Sequence, residues 1–153
     1  MRFLEHKIPP PIVGLLIGAG MWFVAKATPR ISLDSQVRWV IAALLVASGL
    51  IITLLGGAAF RRAQTTVNPL KPEAASTLVV VGIYRHTRNP MYVGFAMVLI
   101  GWAAYLSSPL TLFGPALFVL FITRFQIIPE ERVLSAKFGQ QFSEYKAKVR
   151  RWL

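Results

Sequence analysis

The polar side chains able to do chemistry sit at three places in an otherwise apolar sequence. The first is residues 82–94, Gly-Ile-Tyr-Arg-His-Thr-Arg-Asn-Pro-Met-Tyr-Val-Gly, which sets Tyr84, Arg88, Asn89 and Tyr92 around Pro90. The second is the preceding loop, residues 64–77, rich in hydrogen-bonding groups, and the third is Glu130-Glu131, two of only six acidic residues. Arg124 and Gln126 lie just before that pair. Asn89-Pro90 has the form of a helix start, Asn at the N-cap and Pro at the first helical position. The amide N–H groups such a start leaves open would also suit a carboxylate or another anion. We expect the three pieces to form one cofactor site at a membrane surface. No metal centre is expected from two His and no Cys, and the lack of Cys also excludes disulfides and a cysteine nucleophile.

The elements that must bring these groups together are apolar. Of 153 residues, 55% are hydrophobic and only 15% charged, against about 25% charged in a soluble domain. One membrane domain is expected over residues 1–153. A spanning helix needs about 20 apolar residues. Residues 12–27, opened by Pro9-Pro10-Pro11, make a marginal first span. Arg2, Lys7 and Ala25-Lys26-Ala27 give the same stretch some features of a signal peptide, and the span is the preferred assignment. Residues 39–60 carry no charge, end at Arg61-Arg62 and form the clearest span. Within them Ala43 and Ala47, and Thr53 and Gly57, have the four-residue spacing that lets membrane helices approach closely.

Residues 61–90 are an ordered loop that includes a β-prone run, Thr77-Leu78-Val79-Val80-Val81. A third span covers residues 91–107, with Gly94 and Gly101 on one side, and a fourth covers residues 110–128 after a tight turn at Ser107-Ser108-Pro109. Pro129 is expected to break the helix register, and Glu130-Glu131 to begin a new helix over residues 130–151. There Leu134, Phe138, Phe142, Tyr145, Val149 and Trp152 form an apolar stripe, as in a helix lying in the membrane interface with its basic face toward headgroups. The predicted fold class is an all-α integral membrane protein of about four transmembrane helices plus a C-terminal amphipathic interfacial helix.

The net charge of +11 is placed beside apolar runs, where it reads as topology signal and anionic-lipid contact rather than as a nucleic-acid surface. With four spans, 13 of the 17 lysines and arginines fall on the side holding the N-terminus, the 61–90 loop and the last helix. That side is predicted to be cytoplasmic, in a cell (inner) membrane. Counting equal distances from the Ser108 turn sets Tyr92 level with Arg124 and puts Glu130 near His86. An arginine inside a span marks a functional site by default, although one near a helix end can snorkel to the interface. The glutamate pair could equally be a first helical turn favoured by the helix dipole.

The pattern Gly82-x-Tyr84…Arg88-Asn89-Pro90-x-Tyr92-x-Gly94, followed by Glu130-Glu131 and Gly139…Tyr145, resembles the isoprenylcysteine carboxyl methyltransferase and phospholipid methyltransferase superfamily of integral membrane enzymes. The resemblance covers about residues 56–150. It implies S-adenosylmethionine as methyl donor, bound at the cytoplasmic end of a helical bundle, and a lipophilic acceptor entering from the lipid bilayer. Carried over by position, the cofactor contacts fall on Asn68, Ser76, Thr77, Leu78, Val79, Tyr84, Asn89, Pro90, Met91, Tyr92 and Glu130. Glu130 would take the ammonium or hydroxyls of the donor, Arg88 or free helix N–H groups its carboxylate, and Tyr84 and Tyr92 its adenine or sulfonium. Two departures stand out: Asn89 replaces the usual His of the isoprenylcysteine enzymes, and Gln126 stands where they carry a substrate-contacting Arg, with Arg124 two residues away. Arg124, Gln126 and Tyr92 are thus the residues expected at the reacting end. The acceptor could be an isoprenylcysteine-type carboxylate, a lipid amine or a small thiol. The alternative is a non-catalytic membrane protein whose basic helix docks lipid; a sterol-reductase-like activity fits the short chain poorly.

Overall fold

The computed structural model describes residue 5, residues 7–64 and residues 76–153. Among them are five α-helices and no strand. Helix α1, Pro10–Ala27, starts on a proline whose missing N–H would find no partner there anyway. Helix α2, Ser35–Arg62, is capped by Asp34, whose carboxylate accepts from the amides of Gln36 at 2.9 Å and Val37 at 3.2 Å. Helix α3, Pro90–Leu106, ends at Ser107 in the left-handed conformation (φ 52°), which makes the expected tight turn. A short 3₁₀ turn, Pro109–Leu112, leads into α4, Phe113–Ile122.

The break in helix register expected at Pro129 takes the form of a wider turn rather than a stop. A π-helical turn, Thr123–Ile127, joins α4 to α5, Ile128–Lys148, and the helix runs on through it. The reason lies in Pro129 itself, which can neither bond to the carbonyl four residues back nor avoid its oxygen. Widening the preceding turn accommodates the ring without ending the helix. The whole run, Pro109–Lys148, has 40 residues and a length of about 60 Å, twice the roughly 30 Å of a hydrocarbon core. Its apolar part is residues 110–128, and the charged residues Glu130, Glu131 and Arg132 follow. Gly139 (φ 50°, ψ −121°) then bends α5.

Three helices are long and apolar enough to cross a membrane, and the 17-residue α3 is a shorter apolar one. Large apolar side chains such as Leu15, Leu54 and Leu120 stay about 70% exposed, as expected for a surface whose solvent is lipid. The protein is an all-helical integral membrane protein. Its main core joins α1, α3 and α4 around Phe118, which is fully buried. Helices α2 and α3 pack through small residues instead. A Cβ at Gly94 would collide with Thr53 Oγ1 and the Gly49 carbonyl, and one at Gly49 would lie 2.6 Å from the Gly94 carbonyl. The seam on α2 therefore runs through Ala42, Gly49, Thr53 and Gly56, whereas Gly57 faces open space.

The β-prone residues form no strand. Leu78 and Val80 lie against Phe142, Tyr145 and Val149, so the apolar stripe of α5 covers the protein's own loop rather than bilayer. Tyr145 fixes this contact by donating to the Tyr84 carbonyl at 2.7 Å.

Candidate functional site

Tyr92 projects from the first turn of α3, Gln126 from the π turn, and Glu130 from the first turn of α5. The three meet at one oxygen. Tyr92 Oη donates to Glu130 Oε1 at 2.8 Å, and Gln126 Nε2 donates to the same atom at 3.0 Å. Gln126 is only 2% exposed. The π turn aims it inward, because one extra residue in the turn changes which side chains face the bundle. Burial pushes the Glu130 carboxyl up to about 7; its bonds from Gln126 and Tyr92 pull it down, and neighbouring Glu131 adds a smaller upward push. Tyr84 lies close enough that burial first, then Tyr145 and Glu130, raise its phenol well above the ordinary value. Its ring packs edge-on to Phe60, with 5.4 Å between centroids.

The adjacent Glu131 has a different environment. Arg88 Nη2 reaches Glu131 Oε1 at 2.7 Å, while Arg151 donates from Nε to Oε1 at 3.1 Å and from Nη2 to Oε2 at 2.7 Å. Although burial alone would raise it, the bonds from Arg151 and Arg88 hold the Glu131 carboxyl below its ordinary value. Two cations thus neutralise Glu131. Among the described residues, no cation pairs with Glu130. A carboxylate fixed by neutral donors and lacking a counter-charge fits a ligand that brings its own positive group.

Several expected residues lie elsewhere. Arg124 does not face Tyr92; it is 51% exposed and pairs with Glu5 at 3.6 Å, Glu5 also binding Arg132 at 2.7 Å. The π turn sends Arg124 outward by the same rotation that buries Gln126. Arg88 is not open to a ligand: its guanidinium donates to the carbonyls of Lys146 and Val149 as well as to Glu131. Asn89 does precede α3, but its side chain caps nothing; Nδ2 donates to the Arg151 carbonyl at 2.9 Å. The start of α3 also offers fewer donors than expected. Pro90 has no N–H, and the amides of Tyr92 and Val93 both bond to the Asn89 carbonyl at 3.0 Å. Met91 belongs to the α2 seam, beside Gly56. Ser76 and Thr77 are exposed, Leu78 is half-buried and Val79 is buried. Ser76 Oγ donates to the Gln64 carbonyl at 3.4 Å. His86 is exposed just after the turn Gly82–Arg85 that leads to α3. Asn68 lies outside the described residues.

Sequence reasoning missed Arg151, Trp152, Thr87 and Thr123. The only sign of them was Trp152 completing the apolar stripe; its indole N–H donates to Thr123 Oγ1 at 3.0 Å.

Fold and site together define an integral membrane protein in which, among the described residues, no cation pairs with Glu130. The sequence model of the phospholipid methyltransferase family matches residues 37–141, and the chain belongs to that family. It is similar to an uncharacterized protein of Haemophilus influenzae, 43% identical over 63 residues that make up 41% of this chain and all of that one. It is also similar to the protein-S-isoprenylcysteine O-methyltransferase of Saccharomyces cerevisiae, 35% identical over 82 residues, 52% of this chain and 33% of the yeast protein. A probable protein-S-isoprenylcysteine O-methyltransferase of Oryza sativa subsp. indica is 32% identical over 109 residues, 69% of this chain and 56% of the rice protein. The chain spans between a third and about half the length of these two methyltransferases. No solved structure matches.

Proposed function

We propose that the chain is a membrane methyltransferase that moves the methyl group of S-adenosylmethionine to a lipophilic acceptor reaching the site from the bilayer. The observation that carries this proposal is the contrast, among the described residues, between Glu131, matched by two arginines, and Glu130, held by Tyr92 and Gln126. S-adenosylmethionine brings an ammonium and a sulfonium, the charges Glu130 lacks. When bound it supplies an activated methyl group; the protein's share is positioning, which can be worth about 7–11 kcal/mol of barrier. Glu130 would hold the ammonium, and the Tyr84 and Tyr92 rings would take the adenine or the cationic sulfur. Val79, with Ser76 to Leu78, closes the loop side. Tyr92 and Gln126 face the reacting end, and Arg124 has no part in it. A carboxylate or thiolate acceptor, as on an isoprenylcysteine or a small thiol, needs no general base. A lipid amine must first lose a proton.

The test is calorimetric titration of the detergent-solubilised protein with S-adenosylmethionine. Wild type should release heat and Glu130→Ala should not; a wild type without heat would refute the donor site. Radiolabelled methyl transfer into a membrane extract then identifies the acceptor by its labelled product.

A further inference from the structure

After α5 the chain turns extended at Val149 (φ −125°, ψ 132°) and runs back past the start of α3. In three residues it touches the approach to α3, the first turn of α5 and the π turn. The Arg150 carbonyl accepts from the Arg88 amide at 3.0 Å. The Arg151 carbonyl accepts from Thr87 Oγ1 at 3.3 Å and Asn89 Nδ2 at 2.9 Å, while its guanidinium grips both oxygens of Glu131. The Trp152 indole is bound to Thr123, the first residue of the π turn that carries Gln126, and its ring packs on the main core.

We infer that residues 149–152 are a positioning strap for the donor site, in which Arg151 acts through Glu131 on Glu130 and Trp152 acts through Thr123 on Gln126. This rests on the donor site proposed above. Neither residue contacts the Glu130 carboxylate in the hydrogen-bond pattern of the described residues; each holds a residue of the turn that carries a site group. Three polypeptide segments far apart in sequence are thereby fixed to one another by side chains that are themselves held, which is what preorganising a site requires.

The strap has an electrostatic signature that plain structural support lacks. The groups facing Glu130 are Tyr92 and Gln126 in contact, Tyr84 across the site and Glu131 beside it, with Arg88 and Arg151 one step further out. Removing the Arg151 guanidinium leaves Glu131 with Arg88 alone, and the less compensated negative charge makes Glu130 harder to ionise. The pH at which donor binding is half-maximal should then move up.

The experiment is S-adenosylmethionine titration by calorimetry, between pH 5.5 and 7.5, on the full chain in detergent. Arg151→Ala should weaken binding about tenfold and raise the pH midpoint, and Arg151→Lys should restore most of both. Trp152→Phe, which removes only the indole N–H, should weaken binding about threefold and leave the midpoint in place. An Arg151→Ala protein that binds like wild type at every pH overturns the strap and leaves the donor site standing. A wild type without heat overturns the donor site and the strap with it. Should Arg151→Ala not fold, the decision falls to Trp152→Phe: wild-type affinity in that variant also overturns the strap.

Discussion

Glu130 and Glu131 are neighbours in the chain, yet among the described residues two arginines pair with Glu131 and no cation pairs with Glu130. Because the Glu130 carboxyl sits near 7 rather than 4.5, its charge appears across the neutral range. Donor binding should therefore strengthen as pH rises from about 6 to 7.5, and Glu130→Gln should bind weakly with a flat profile; calorimetry at stepped pH checks this. The sign for stability is opposite. The folded protein keeps the Glu130 proton where the unfolded chain has lost it, so this contribution is full below about 4.5 and is lost as pH rises through about 7. Glu131, lowered, contributes above its ordinary value and loses that contribution only as pH falls through its lowered one. The ligand-free protein should thus melt at a lower temperature at pH 8 than at pH 6, and Glu130→Gln should remove most of the difference. The sequence marked this pair because acids are scarce and these two lie at a membrane boundary. It could not say which one is left without a cation, since that is decided by Arg88, 43 positions away, and Arg151, 20 positions away.

Among the elements, the α2–α3 seam and the π turn matter most to the site. Gly94 is in contact with Thr53 and Gly49, so Gly94→Ala should overpack the seam and cost about 1–3 kcal/mol. Gly57→Ala, facing open space, should be harmless. Thermal melts of both variants in detergent compare the two directly. The four-residue spacing of small residues occurs on more than one face of α2, so the sequence revealed that a seam exists without revealing which face forms it. The glycines of α3 make that choice. Pro129 likewise marks a change of register in the sequence, but not its form, because a proline ring can be accommodated by a wider turn as well as by a stop. Pro129→Ala should let a regular helix form, rotate Gln126 away from Glu130 and weaken donor binding several-fold while the melting temperature holds or rises. Calorimetry and melting on the same sample separate the two effects. The α5 stripe was correctly seen as amphipathic, but periodicity does not name the surface that covers it, and here Leu78 and Val80 do.

At the scale of the molecule, the number of helices and their order followed from apolar runs and charge clusters, which are strong signals in lipid because backbone groups must be satisfied within each helix. Orientation can be tested cleanly because the chain contains no cysteine. A single cysteine at Ser32 should react with a membrane-impermeant thiol reagent applied to intact cells, and one at His86 should react only after the membrane is opened; the reverse pattern would invert the assignment. The shortness of α3 has a consequence for the bilayer around it. Its 17 residues reach about 26 Å, less than the roughly 30 Å of hydrocarbon. Lipids beside it must shorten or tilt to match, at a small cost per ångström. The thinning this implies is shared between the two ends of α3, one of which carries Tyr92.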